Sequence, residues 1–168
     1  FIASSTDVSE IYIKDLQKDI ISHTFYINNA RSLSFSPDGK FLAVYSSIYN
    51  LETNTKVMSF NDGGQTDYSP DGKLLASTSG KVYNLETGAT VHDFNSGKSV
   101  AFSPDGEYLA IGGSRNRYYD RGSYKYSDPI SIYSLKTGEK ISDLSSDQTV
   151  KTVAFSPDGK YLAASWGA

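Results

Sequence analysis

The sequence predicts an all-β protein, a β-propeller of four-stranded antiparallel blades, and three observations support this fold class. One hexapeptide turn motif recurs four times along the 168 residues. A second motif, a short strand that ends in a polar turn, follows these turns at a nearly constant distance. The segments between the motifs alternate between apolar and polar residues and leave no room for helices. Such four-stranded units, repeated every 33 to 40 residues in most of this chain, are typical of propeller blades.

The hexapeptide predicts the hairpin between the first and second strands of each blade. It consists of an aromatic residue, Ser-Pro-Asp-Gly and a charged residue. Proline presets φ at the first central position of a turn, and glycine supplies the positive φ with which the chain enters the next strand. Proline also lacks an N–H group, so it belongs at a hairpin end. The four copies occupy residues 35–40, 68–73, 102–107 and 155–160.

The second motif predicts the third strand of each blade and the turn that follows it. Its copies are Ile48–Thr53, Val82–Gly88 and Ile132–Gly138, with a degenerate copy at Ile11–Leu16. A short alternating segment after each copy predicts the fourth, outermost strand. These segments are residues 57–60, 90–94, 140–144 and 19–25.

These motifs resemble the WD40 repeat family over essentially the whole chain. The Ser-Pro-Asp-Gly hairpins, the Leu-Ala pairs in the second strands and the Leu-Glu-Thr-Gly turns carry the resemblance. The Gly-His dipeptide of the family is absent, so the buried His–Ser–Trp–Asp network of many members is not expected. The Trp-Asp dipeptide is replaced by Lys14-Asp15, Tyr49-Asn50, Tyr83-Asn84 and Tyr133-Ser134. TolB-like propellers share the Ser-Pro-Asp-Gly-Lys turn and are the alternative resemblance.

The register of the second strands divides one propeller region, residues 1–168, into about four blades. These strands begin at residues 1, 41, 74, 108 and 161. The predicted units are a partial blade at 1–27, blades at 28–60, 61–96 and 97–146, and the first two strands of a further blade at 147–168. Because the last second strand duplicates the first, we expect part of a larger ring, completed by further sequence or by another chain. A closed four-bladed ring is the remaining alternative.

Alternation along the innermost strands predicts how neighbouring blades pack. Large residues are expected on one face and small ones, Ser34, Ala101 and Ala154, on the other. The large residues are Leu33, Phe35, Val100, Phe102, Val153 and Phe155. Asp67 occupies a small-residue position, where we expect an irregular strand or a hydrogen-bonded carboxylate, with a ligand or ion contact as the alternative. Trp166 lies at a strand end and is expected to pack.

Composition excludes several classes of protein. The chain has no cysteine, which excludes disulfides, thiolate zinc sites and a cysteine nucleophile. No apolar run approaches the roughly 20 residues of a membrane span. The two imidazoles, His23 and His92, fall in predicted outer strands, where we expect exposed edge residues and not catalytic bases. We therefore predict no enzyme activity, no cofactor, no metal and no membrane contact. Nothing identifies a compartment, and a cytoplasmic location is the default expectation.

One insertion, residues 114–128, lies between the second and third strands of the 97–146 blade and is the candidate binding loop. It holds three Arg, one Lys, four Tyr and two Asp, so it carries +2, which leaves −5 for the rest of a chain whose total is −3. Arginine and tyrosine are enriched at interface hot spots. The WD40 resemblance implies that this connection lies on a face where partners commonly dock. The candidate partner-binding residues are Arg115, Arg117, Tyr118, Tyr119, Arg121, Tyr124, Lys125 and Tyr126.

The predicted function is a non-catalytic protein–protein interaction scaffold that presents binding loops on one face to a protein or peptide. The insertion also fits a hairpin that extends the blade without a binding role, or a nucleic-acid contact through its Arg and Tyr residues. We disfavour nucleic acid because the near-neutral sequence offers no second basic face. Two further functions stay open: a ligand- or glycan-binding propeller that uses tyrosines, and an accessory propeller domain of a larger enzyme.

Overall fold

The computed structural model describes residues 8–28, 30, 32–60, 63–113, 117–121, 123–126, 130–144 and 149–167. In this part of the chain the structure contains eighteen strands and no helix, so no helix there could cross a membrane. The predicted all-β class is confirmed. The predicted second strand at residues 1–6 lies outside the described residues.

Antiparallel sheets follow one another along the chain, and we number them blades 1 to 5. Blade 1 has two strands, β1 (Val8–Asp15) and β2 (Ile20–Asn28). Blade 2 consists of β3 (Leu33–Phe35), β4 (Phe41–Val44), β5 (Ser47–Asn50) and β6 (Thr55–Ser59). Blade 3 consists of β7 (Thr66–Tyr68), β8 (Leu74–Ser77), β9 (Lys81–Asn84) and β10 (Thr90–Asp93).

Blade 4 contains the insertion. Its sheet consists of β11 (Ser99–Phe102), β12 (Tyr108–Gly112), β15 (Ile130–Ser134) and β16 (Lys140–Leu144). Between β12 and β15, a separate two-stranded sheet is formed by β13 (Arg117–Asp120) and β14 (Ser123–Tyr126). Blade 5 has two strands, β17 (Thr149–Phe155) and β18 (Leu162–Gly167). In the four-stranded blades the strands pair in chain order from the first to the fourth.

The Ser-Pro-Asp-Gly turns close their hairpins with one set of hydrogen bonds. In blade 4 the Ser103 hydroxyl donates to Asp105 Oδ1 at 2.5 Å and accepts the N–H of Tyr108, the first residue of β12, at 2.9 Å. Asp105 Oδ1 also accepts the N–H of Glu107. The Ser103 hydroxyl and then this N–H hold the pKa of Asp105 below its usual range. Ser36, Ser69 and Ser156 make the equivalent bonds.

A second repeated turn lies between the third and fourth strands. Asn50 Oδ1 accepts the N–H groups of residues 52 and 53 at 2.9 Å, and Asn84 Oδ1 accepts those of residues 86 and 87 at 3.0 Å. Asp15 holds the corresponding turn of blade 1 in the same way. These residues stand where the family has the Asp of its Trp-Asp dipeptide, so that position serves here as a turn cap.

Aromatic pairs connect the outer strand of one blade with the third strand of the next. Between blades 3 and 4, the ring centroids of Phe94 and Tyr133 are 4.2 Å apart. The pair Phe60 and Tyr83 repeats this contact at 5.2 Å, and the pair Phe25 and Tyr49 repeats it at 5.0 Å. The tyrosines occupy the positions of the family's tryptophans. Stacking at these distances adds to the stabilisation that comes from burial of the rings.

The predicted division of large and small inner-strand residues between two faces holds in blade 2 as in blade 4, but the expected burial of the large residues holds in blade 4 and fails in blade 2. Val100 and Phe102 are buried against blade 3. Leu33 and Phe35 are 54% and 53% exposed. Their side chains lie on the face that β4 turns toward blade 1, where Leu42 and Val44 contact Ile11 and Phe25 of β1 and β2. No inner strand of blade 1 lies among the described residues, so nothing there covers Leu33 and Phe35.

The opposite end of the series also has an uncovered face. Ala101 and Ala110 of blade 4 are buried against blade 5, whereas Ala154 and Ala163 at the equivalent positions of blade 5 are exposed. Trp166, for which the sequence predicts packing, is 43% exposed. It lies at the end of β18, the last described strand, so one side of that strand has no neighbour within the described part of the chain.

Truncation of equivalent inner-strand residues is expected to have unequal costs. Phe102→Ala removes a buried ring and is expected to lower the free energy of unfolding by about 3–5 kcal/mol. Phe35→Ala removes a half-exposed ring and is expected to cost less than about 1.5 kcal/mol, because roughly half of the burial is missing. Urea denaturation of both variants checks this. If the two variants lost equal free energies of unfolding, and the loss for Phe35→Ala depended on protein concentration, a second chain would instead cover this face in solution.

Candidate functional site

The antiparallel order of the strands gives each blade two different ends. The Ser-Pro-Asp-Gly turns and the turns after the third strands lie at one end, which we call the turn face. The connections between second and third strands, and those from one blade to the next, lie at the other end, which we call the loop face. The insertion in blade 4 joins β12 to β15 and therefore projects from the loop face.

The structure places most of the predicted partner-binding residues on one hairpin. Arg117, Tyr118 and Tyr119 lie in β13, and Tyr124, Lys125 and Tyr126 lie in β14. Arg121 lies in the turn between them, is exposed and has a φ of +47°. Arg115 lies outside the described residues. The hairpin forms its own sheet and shares no ladder with β12 or β15, so it does not extend the blade sheet.

The register of this hairpin separates its residues into two sets. Arg117 pairs with Tyr126 and Tyr119 pairs with Tyr124, and because the two pairs are two positions apart they share one face. Tyr118, which pairs with Lys125, and the pair Asp120 and Ser123 belong to the other face. One face therefore carries one arginine and three tyrosines, and the other carries one tyrosine, one lysine, one aspartate and one serine.

Polar side chains connect the innermost strands of neighbouring blades. The Ser32 hydroxyl accepts the N–H of Thr66 at 3.3 Å, and the Ser99 hydroxyl accepts the N–H of Val153 at 3.1 Å. Between blades 3 and 4, Asp67 Oδ2 accepts the N–H of Phe102 at 2.8 Å. The interpretation of Asp67 as a hydrogen-bonded carboxylate is confirmed. Burial raises its pKa, and the N–H groups of Phe102 and Tyr68 oppose that rise.

His92 lies in the edge strand β10, as predicted, but the expectation that it is exposed is wrong. Its Nε2 lies 2.9 Å from the Leu135 carbonyl oxygen, and its ring stacks on Phe94 at 5.1 Å. It is half-buried because the turn of blade 4 packs against the outer strand of blade 3. His23 is also half-buried, stacks on Phe25 and contacts its chain neighbour Ser22 through Nδ1 at 3.0 Å. Both imidazoles are thus parts of blade packing.

A cleft on the turn face is a feature that the sequence does not predict. It has a volume of about 740 Å³ and lies between blades 2 and 3. Asp38 and Asp71, one from each Ser-Pro-Asp-Gly turn, line it together with Val57, Met58 and Tyr68. The one signal in the sequence is Tyr68, since the other three copies of the hexapeptide begin with phenylalanine. Within the described part of the chain, no three His, Asp or Glu residues are grouped as a metal site would require.

Asp67, whose pKa is raised, and Asp105, whose pKa is lowered, are expected to respond oppositely to substitution by asparagine. Asp67→Asn keeps an oxygen for the Phe102 N–H and removes a desolvated charge. Because the pKa of Asp67 is raised on folding, the ionised form costs stability, and this cost appears as the pH rises through the raised pKa. Asp67→Asn is therefore expected to be more stable than the parent chain at pH 7, and the difference is expected to shrink toward about pH 4.

The matched control is Asp105→Asn in a turn where the pKa of the carboxyl is lowered. There the ionised form contributes stability that is present above the unfolded pKa and is lost as the pH falls through the folded one. This variant is expected to be less stable at pH 7, again with a difference that shrinks in acid. Urea midpoints from pH 7 down to about pH 2 measure both, because the lowered pKa of Asp105 places its loss of stability below the ordinary carboxyl pKa of about 3.9. If both variants were more stable than the parent chain at pH 7, or both less stable, these assignments would be contradicted.

Comparison with known proteins agrees with this architecture. The family model "WD domain, G-beta repeat" matches residues 89–118 and 138–167. Each match begins just before the outer strand of one blade and continues through the first two strands of the next. No curated protein is similar enough in sequence to count as a relative.

One similar solved structure is Kuenenia stuttgartiensis hydrazine synthase, with 20% sequence identity and a TM-score of 0.69. The similarity covers 92% of this chain and 49% of that chain, so this chain spans about half the length of its structural neighbour. At this identity the likeness concerns the fold alone. With the repeated turns, the four-stranded blades and the two family matches, the chain is a β-propeller built of WD40-like repeats.

Proposed function

We propose that this propeller is a non-catalytic interaction module and that the hairpin β13–β14 contacts a protein or peptide partner. WD40 repeats generally mediate protein–protein interaction, which supports a binding role at the coarse level. The observation that carries the finer proposal is the separate sheet of the hairpin, which stands apart from the ladder of blade 4. An insertion that only extended the blade would pair with β12 or β15, whereas this hairpin pairs with neither.

The residues of the hairpin suit a protein partner. The face with Arg117, Tyr119, Tyr124 and Tyr126 combines large aromatic surfaces with a guanidinium group. Tyrosine and arginine dominate hot spots because they bury much area and keep directional hydrogen bonds. The rest of the chain carries a net charge of −5 against +2 for the insertion, so the positive charge is concentrated where contact is proposed.

We also propose that further blades cover the two exposed faces of the series, either from additional sequence or from another chain. Leu33 and Phe35 at one end, and Ala154 and Ala163 at the other, support this proposal. Their equivalents in blade 4 are buried by a neighbouring blade. A rigid series of blades then holds the hairpin in a fixed position, which reduces the conformational entropy lost on binding.

The proposal is tested by variants on the two faces of the hairpin. The double variant Tyr119→Ala/Tyr124→Ala is expected to weaken partner binding by at least about 30-fold, corresponding to about 2 kcal/mol for hot-spot residues. Tyr118→Ala, on the opposite face, is the matched control and is expected to retain most of the affinity. The measurement is quantitative affinity capture with mass spectrometry, followed by titration of the captured partner against each purified variant.

Removal of nearly all of the insertion gives the complementary result. A chain in which residues 115–127 are deleted is expected to keep its unfolding midpoint, because β13 and β14 pair with no other strand in the described part of the chain. It is expected to lose the partner. If the shortened chain folds and binds every partner as before, the hairpin is not the binding site.

A further inference from the structure

We propose that the cleft between blades 2 and 3 binds a lysine side chain from an extended segment of a partner protein. This cleft lies on the turn face, at the opposite end of the blades from the hairpin β13–β14. It is therefore a second site, and it does not depend on the function proposed for the hairpin. Three properties of the cleft carry the proposal: an unpartnered hydroxyl, an excess of carboxylates and an apolar wall.

The Tyr68 hydroxyl lacks a hydrogen-bond partner within the described part of the chain. Tyr68 is only 6% exposed, and its ring belongs to the core between blades 2 and 3. A buried polar group without a partner lowers stability, so a native structure that keeps one calls for an explanation. Packing does not require the hydroxyl, because Phe102 is buried at the equivalent position of blade 4 and the other two copies of the hexapeptide also begin with phenylalanine. A ligand that donates a hydrogen bond to Tyr68 Oη would satisfy it.

The charge of the cleft favours a cation. Asp38 and Asp71 line it, and no Lys, Arg or His side chain is among its lining residues within the described part of the chain. Lys73 Nζ lies 3.9 Å from Asp71 Oδ2, but this side chain is 79% exposed and does not line the cleft. Burial first, and the negative charge of Asp38 second, raise the pKa of Tyr68, so the phenol stays neutral.

The geometry of the Asp38 carboxylate favours lysine over arginine. The two hydrogen bonds that hold the turn, from the Ser36 hydroxyl and the Lys40 N–H, both end on Oδ1. A guanidinium binds best when both carboxylate oxygens are available to its planar fork. An ammonium is a compact charge whose three N–H donors point in different directions. It is suited to meet the one oxygen of Asp38, Oδ2, that these two bonds leave free.

The apolar wall suits the hydrocarbon part of the same side chain. Val57, Met58 and Leu85 line the cleft together with the carboxylates. Lysine buries its four methylene groups along apolar surface while its charge stays in polar surroundings. Methionine adapts its shape to such a stem at low cost. Val57 is 52% exposed, so the cleft is open to a segment that approaches from solvent.

The test is a titration of the whole chain with the peptide Ala-Ala-Lys-Ala-Ala, acetylated at its N-terminus and amidated at its C-terminus. Binding is monitored through chemical-shift changes in the ¹H–¹⁵N NMR spectrum of the protein. Saturable shifts are expected at residues that line the cleft. Asp38→Asn is expected to weaken binding about tenfold, through loss of a charge-assisted hydrogen bond. Asp105→Asn is the matched control, because it alters the same turn in blade 4, away from the cleft, and no change in affinity is expected.

Tyr68→Phe restores the residue of the other three repeats, so it is expected to fold, and it is expected to weaken binding about fivefold. A peptide with norleucine in place of lysine is expected to bind about tenfold more weakly, since it lacks the ammonium. The proposal is overturned by equal effects of Asp38→Asn and Asp105→Asn, or by equal binding of the norleucine peptide. It is also overturned if a peptide with arginine in place of lysine binds more tightly than the lysine peptide, or if free n-butylammonium binds as tightly as the lysine peptide. The absence of any saturable shift with the lysine peptide would overturn it as well.

Discussion

The hydrogen bond from the turn serine to the turn aspartate is the interaction on which the rest of the structure depends. Its geometry is the same in four blades, with Oγ to Oδ1 distances between 2.5 and 2.7 Å. The serine hydroxyl then accepts the N–H of the residue five positions later, which begins the second strand in blades 2 to 4 and immediately precedes it in blade 5, so the turn sets the register of its hairpin. Since a slip of one residue would move every side chain to the other face of the sheet, this register decides which residues meet the neighbouring blade.

The turns also touch one another along the series. A β-carbon on Gly72 would lie 3.6 Å from Cδ of Pro37 in the preceding blade, and Gly159 stands in the same relation to Pro104 at 3.8 Å. Both glycines have φ near +70°, which a side chain would strain. The turn face is therefore built from one repeated contact, and the cleft beside Tyr68 lies between two such turns, with Asp38 and Asp71 among its lining residues.

The sequence is sufficient to predict the features that depend on local chemistry. The Ser-Pro-Asp-Gly hairpins and the third strands follow from turn preferences and alternation, which act over a few residues. Features that depend on a neighbouring blade are not accessible in this way. Leu33 and Phe35 show the same alternation as Val100 and Phe102. The second pair is buried because an inner strand of the neighbouring blade lies against it, and the first pair is exposed because no such strand is described there. The packing of His92 and the cleft likewise form between blades, and for the cleft the only local trace is Tyr68 in a phenylalanine position.

The most direct test of this account is a double-mutant cycle on one turn, with Ser103→Ala, Asp105→Ala and the double variant. If the hydroxyl and the carboxylate act as a unit that fixes the hairpin, the double variant is destabilised by less than the sum of the single variants. The expected coupling energy in urea denaturation is at least about 0.5 kcal/mol, within the range found for residues in direct contact. Additive costs would contradict the central role assigned to this hydrogen bond, because each residue would then act on its own.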